Sequence, residues 1–81
     1  MQHNFDFGTA MRVLRAEKKL TQKNVAMQAK CDPSTICLLE GGKRLPSLHL
    51  LNVFAEVFDR SPSEIVRLAE QYGKKTRANH E

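Results

Sequence analysis

The stretch TQKNVAMQAKCDPSTICLLEGGKR, Thr21 to Arg44, decides how the chain folds. Thr21 is a good helix N-cap, because its hydroxyl can accept from a backbone N–H that the first turn leaves unpaired. Val25, Ala26 and Ala29 then fall on one helical face. Lys30, Cys31 and Asp32 form a short turn. Asp32 caps the next helix, and Pro33 takes its first position, where a missing N–H costs nothing. Ile36 and Leu39 make its inward stripe, and Gly41 and Gly42 stop it, since glycine accepts the left-handed backbone of many helix ends. The reading is two short helices joined by a tight turn.

Working outward, the rest of the chain is also helical and no strand is expected. Helix one is predicted from about Asp6 to Lys18, with Phe7, Ala10, Met11 and Leu14 at helical spacing. Ser47 starts helix four, whose core face reads Leu48, Leu51, Phe54, Ala55 and Phe58. The SPSE segment, Ser61 to Glu64, is a capping box with proline at the first helical position. Helix five follows with Ile65, Leu68, Ala69 and Tyr72, and Gly73 is expected to end it. The domain thus spans residues 1–73, with its central helix pair at 21–40, and residues 74–81 are expected to form a flexible basic tail.

A chain of 81 residues has room for one small domain with a modest core. No apolar run approaches the ~20 residues of a membrane span. The start MQHNFDFG lacks a basic region followed by an apolar stretch, so no secretory signal is expected and the cytoplasm is the default compartment. The net charge is +4, and residues 1–46 hold eight Lys/Arg against four acids, whereas residues 47–81 hold five against five. The excess therefore lies wholly in the half that contains the central helix pair. A one-sided basic surface is the electrostatic footprint of a polyanion binder, although charge alone serves a merely solvated face equally well.

The tight connection sets helix three across helix two, so helix three can stand out from the domain. A protruding helix fits the DNA major groove with its N-terminal side chains against base edges. The start of helix two, Thr21, Gln22 and Lys23, offers unpaired N–H groups and a positive dipole end to a phosphate. The GGKR loop adds further amides with Lys43 and Arg44. One feature conflicts with this picture: Cys37 and Leu38 stand where a groove reader usually carries polar side chains.

The segment from Leu14 to Phe58 resembles the Cro and phage-repressor, or Xre-type, helix-turn-helix family. The resemblance rests on the LTQ of Leu20 to Gln22, on Ala26, on the STI..LE.GKR.PS block from Ser34 to Ser47, and on the stripe of helix four. It implies an all-α, compact, five-helix, lambda-repressor-like helix-turn-helix domain that regulates transcription as a homodimer on a pseudo-palindromic operator in double-stranded DNA. It further implies that Pro33, Ser34, Thr35, Cys37 and Leu38 occupy the base-reading face or its edge. Thr21, Gln22, Lys23, Lys43 and Arg44 fall among the phosphate contacts, with Gln22 also bracing the reader helix. Arg15 and Glu40 match a structural pair bridging helices one and three. The family often has glycine where this chain has Lys19, Lys30 and Asp59, and a side chain in a left-handed turn costs ~1 kcal/mol. Two of those replacements add positive charge near the expected DNA face.

The conflict at Cys37 and Leu38 resolves if Ile36 and Leu39 hold the inner side of helix three. An exposed leucine packs against a thymine methyl, and Ser34 and Thr35 reach base edges. The bidentate readers Arg, Gln and Asn are missing, so phosphates, thymine methyls and DNA shape must supply more of the recognition. Helix four has a second apolar line, Leu50, Val53 and Val57. Val57 is assigned to the core; Leu50 and Val53, extended by Val66 and Tyr72, are the expected dimer interface. The competing reading is a protein-interaction module or antitoxin on the same frame, with a toxin or a polymerase as protein partner.

Catalysis finds no support. His3, His49 and His80 share no ligand spacing, and the CDPSTIC spacing is not a zinc pattern, so no metal, cofactor or enzymatic role is expected. Cys31 is read as a small buried apolar residue and Cys37 as a plain exposed thiol.

Overall fold

The computed structural model describes residues 5–79, with side chains described through Lys74. His3 and His80 lie outside the described residues. Five helices follow in order: α1, Phe7–Glu17; α2, Gln22–Ala29; α3, Pro33–Glu40; α4, Leu48–Phe58; and α5, Pro62–Asn79. No strand occurs among the described residues. The local signals explain the starts. Asp6 accepts from Thr9 N, Thr21 from Asn24 N, Asp32 from Ser34 N and Ser47 from Leu50 N. At α5 the reciprocal box forms, with Ser61 Oγ accepting from Glu64 N at 3.2 Å and Glu64 Oε1 from Ser61 N at 2.9 Å. A second reciprocal cap at Thr21 uses Asn24, whose side chain accepts from Thr21 N at 3.0 Å.

The helix ends share one device. After α1, Lys19 N donates to Ala16 O and Leu20 N to Arg15 O; after α2, Lys30 N donates to Met27 O and Cys31 N to Ala26 O. The same nested pair closes α3 through Gly42 and Lys43, and α4 through Asp59 and Arg60. This is the Schellman closure, which needs one left-handed residue. Glycine fills that place only at Gly42, with φ of 75°. Lys19, Lys30 and Asp59 fill the others, with φ of 56°, 56° and 55°. The departures from glycine are therefore real sites of backbone strain, each of ~1 kcal/mol.

The core gathers Phe7, Ala10, Met11 and Leu14 of α1, Val25 and Ala26 of α2, Ile36 and Leu39 of α3, Phe54 and Phe58 of α4, and Ile65 and Ala69 of α5. The Phe54 and Phe58 rings, one turn apart, lie with centroids 6.4 Å apart in a tilted pair. Full burial of such side chains contributes ~2–3 kcal/mol each. Leu50, Val53, Val57, Leu68 and Tyr72 pack against this core while half-buried.

Four expectations need correction. The helical spacing puts Leu48 on the core face of α4, but it is 80% exposed. It is the first residue of that helix, and its side chain tilts back past the edge of the core. Gly73 does not end α5; it is buried, one turn beyond Ala69 on the same stripe, and the helix continues through residues 74–79. A lone interior glycine costs a helix only ~1 kcal/mol, so packing overrides it. Cys31 is half-buried rather than buried, because it sits in the α2–α3 turn at the rim of the core. Val57, assigned to the core, is also only half-buried.

Candidate nucleic-acid interface

The site is organised around Glu40, the last residue of α3, whose side chain is 3% exposed. Arg15 of α1 grips it with two bonds, Nε to Oε2 at 2.7 Å and Nη2 to Oε1 at 3.0 Å. Gln22, the first residue of α2, donates Nε2 to Oε1 at 2.9 Å. The third Arg15 contact runs from Nη1 to the Leu20 carbonyl, at 3.0 Å, in the α1–α2 turn. One carboxylate thus ties the end of α1, the start of α2 and the end of α3 together. The hydrogen bonds that Arg15 donates to Glu40 hold its guanidinium more firmly charged than usual, against the opposing effect of burial.

The α3 terminus is also held through its backbone. Arg12 Nη1 donates to the Glu40 carbonyl at 3.0 Å, and Arg12 Nη2 to Thr9 Oγ1 at 3.1 Å. Gly8 seats directly against the same carbonyl, since a Cβ there would stand 2.3 Å from Glu40 O. Neither Arg12 nor Gly8 stands out in the sequence. Arg12 lies off the apolar stripe of its helix, and the need for glycine at position 8 arises only when α1 meets α3.

With its inner side sealed, α3 turns a continuous line outward. Ser34, Cys37 and Leu38 are exposed, and Gly41 follows on the same line. Leu38 is 42% exposed, whereas Ile36 and Leu39 are fully buried. Pro33 is exposed at the helix start and Thr35 is half-buried at the edge of this face. The Ser34 hydroxyl donates to Asp32 Oδ1 at 2.8 Å, so its lone pairs remain to accept from outside. The Ser34 N–H and hydroxyl together hold the Asp32 carboxyl below its ordinary range. Burial, with the neighbouring Asp32 charge, pushes the Cys31 thiol up, away from the reactive thiolate.

Lys43 and Arg44 are exposed in the loop that leaves α3, directly after the Glu40 anchor. Thr21 and Lys23 are exposed at the start of α2, on the other side of that anchor. The Gln22–Glu40 bond holds the start of α2 beside the end of α3, from which the Lys43–Arg44 loop leaves. Leu50, Val53, Val66 and Tyr72 lie on α4 and α5, half-buried. Among the described residues, no group of three or more His, Cys, Asp or Glu gathers as a metal site, and no helix is long and apolar enough to cross a membrane.

The comparisons with known proteins agree with this geometry. A family profile described as a helix-turn-helix domain matches residues 6–73. The clp gene regulator ClgR from Corynebacterium glutamicum shares the fold, with a TM-score of 0.87 over 95% of this chain and 82% of that chain, at 23% identity. The restriction-modification controller protein C.AhdI from Aeromonas hydrophila is 32% identical, with a TM-score of 0.72 over 76% of this chain and 94% of that chain. A comparison with curated proteins finds no match. A profile that spans nearly the whole described domain, and a relative of this identity and coverage, place the chain in the Xre-type helix-turn-helix family, the fold of DNA-binding transcriptional regulators.

Proposed function

We propose that the protein is a cytoplasmic, sequence-specific transcriptional regulator that binds a pseudo-palindromic operator as a homodimer. The observation that carries this reading is the outward line of α3, free of core duty, with Glu40 at its end bonded to Gln22 at the start of α2. In this reading Ser34 and Leu38 contact base edges, with Pro33, Thr35 and Cys37 around them. Thr21, Gln22, Lys23, Lys43 and Arg44 contact phosphates. Gln22 uses one amide hydrogen on Glu40 and keeps the other, with its backbone N–H, for a phosphate oxygen. Leu38 is suited to a thymine methyl, and the lone pairs of Ser34 to an exocyclic amine. Phosphate attraction and DNA shape supply the rest of the affinity.

A dimer places two α3 helices on one face of the duplex, about one helical turn apart. Leu50 and Val53, extended by Val66 and Tyr72, are the surface assigned to that contact. They are apolar and only half-covered by the single chain. C.AhdI is a restriction-modification controller protein, and its 32% identity to this chain supports a similar controlling role.

The competing reading is a protein-interaction module or antitoxin. The observation in its favour is the pair of exposed leucines beside the basic loop, Leu45 at 55% and Leu48 at 80%. A toxin or a polymerase would be the partner. The charge distribution favours DNA, because a protein contact has no need to collect the whole basic excess in residues 1–46, the half that holds α2, α3 and the 41–44 loop. Selection of bound sequences from random duplex DNA separates the two. The regulator yields an inverted repeat; a protein module yields no enriched sequence.

A further inference from the structure

We propose that Lys19 is a DNA-phosphate contact, which extends the basic edge of the site into the α1–α2 turn and keeps a strained lysine where glycine would fold better. The inference rests on the DNA-binding reading above. Three observations on different levels support it.

The first is conformational. Lys19 sits at φ of 56° in the closing turn of α1, a place that glycine occupies without strain. Nothing inside the fold rewards the lysine. Its side chain is exposed, and no ion pair among the described residues includes it.

The second is positional. Lys19 directly precedes Leu20, whose carbonyl accepts from Arg15 Nη1 at 3.0 Å. The same guanidinium holds Glu40, and Glu40 holds Gln22 at the start of α2. The Lys19 turn is therefore fixed to the same anchor as both basic segments, rather than hanging free.

The third is electrostatic. The nearest acid in the chain and the carboxylate of the anchor both have partners already. Glu17 pairs with Arg60 at 2.8 Å, and Glu40 is buried and matched by Arg15. Lys19 thus carries a positive charge that no ion pair among the described residues matches. A charge held there against backbone preference fits an external polyanion.

The test measures stability and DNA binding on the same variants. Lys19→Gly relieves the strain and removes the charge; Lys19→Asn removes the charge but tolerates the left-handed backbone. Asp59→Gly relieves the same strain at the end of α4 without touching a basic residue. The expected result is a higher Tm for Lys19→Gly and Asp59→Gly, by about 4 °C or more. Binding to a random-sequence duplex should weaken about eightfold per contact for both Lys19 variants at ~0.1 M salt, with the slope of log K against log salt reduced by about 0.9. Asp59→Gly should leave both binding quantities unchanged. Unaltered affinity and slope in the Lys19 variants, with Lys43→Ala reducing both, would overturn the Lys19 assignment alone. Salt-independent binding by the unaltered protein would instead overturn the DNA reading.

Discussion

Replacing Arg15 by alanine should damage the fold more than replacing its partner Glu40, even though both break the same ion pair. The asymmetry follows from burial. The Glu40 side chain is 3% exposed and that of Arg15 is 23% exposed. Arg15→Ala removes two charged donors from the carboxylate and leaves it the single neutral donor of Gln22. It also strips the Leu20 carbonyl of its side-chain donor. Breaking a buried pair from the side that strands the buried charge costs ~3 kcal/mol, the low end of the range, because water reaches the space Arg15 vacates. Glu40→Ala strands a guanidinium that is already partly solvated and keeps its bond to Leu20, so ~1–2 kcal/mol is expected. The double variant should be less destabilised than the sum of the singles by ~1–2 kcal/mol, because the second removal no longer strands a charge. Equilibrium denaturant unfolding followed by far-ultraviolet circular dichroism measures all four species, with unchanged m-values as the check that the midpoints compare stabilities. Equal losses for the two single variants, or strict additivity in the double, would refute the reasoning.

Other expectations follow from the same geometry. Leu50→Glu should shift the protein toward monomer in sedimentation and weaken binding to an inverted-repeat site, with helix content nearly intact; a protein that is monomeric both free and on DNA would remove the interface assignment. Acid should loosen the caps of α3 and α5. Asp32 is held below its ordinary range by the Ser34 N–H and hydroxyl, and Glu64 by the Ser61 N–H and hydroxyl. A depressed folded-state pKa gives stability that is fully present above the unfolded values of ~3.9 and ~4.3. That stability is lost as pH falls through the lower folded values. Asp32→Asn keeps an acceptor but does not titrate, so the fall of Tm in acid should be shallower than in the parent; an identical acid limb would argue against this cap as its source.

The parts of this fold that were legible in the sequence are those fixed within one turn of chain. The Thr21, Asp32–Pro33 and Ser61–Glu64 caps each involve neighbours three or fewer residues apart, and each appears in the structure. The inward spacing of Ile36 and Leu39 likewise fixed which side of α3 faces out. The family resemblance placed the Arg15–Glu40 pair, which no local rule reaches. Features created by the meeting of helices were hidden. Leu48 has the spacing of a core residue, but spacing cannot tell where the core ends. Gly73 has the look of a stop signal, yet its position on the buried stripe of α5 decides its role. Gly8 and Arg12 matter only because the α3 carbonyl arrives beside them. The left-handed lysines fall between these cases: the family's glycines point to Lys19 and Lys30, and the backbone shows that each lysine itself makes the turn.

Binding to every single-base variant of a selected site, for the parent, Leu38→Ala and Ser34→Ala, tests the central claim most directly. If α3 reads the bases, Leu38→Ala flattens the preference at one thymine in each half-site, and Ser34→Ala does so at a neighbouring base pair. Each should lose ~1–3 kcal/mol of discrimination there while preferences elsewhere persist. Both variants keeping the parent's full pattern of preferences would mean that the outward face of α3 is not the reader.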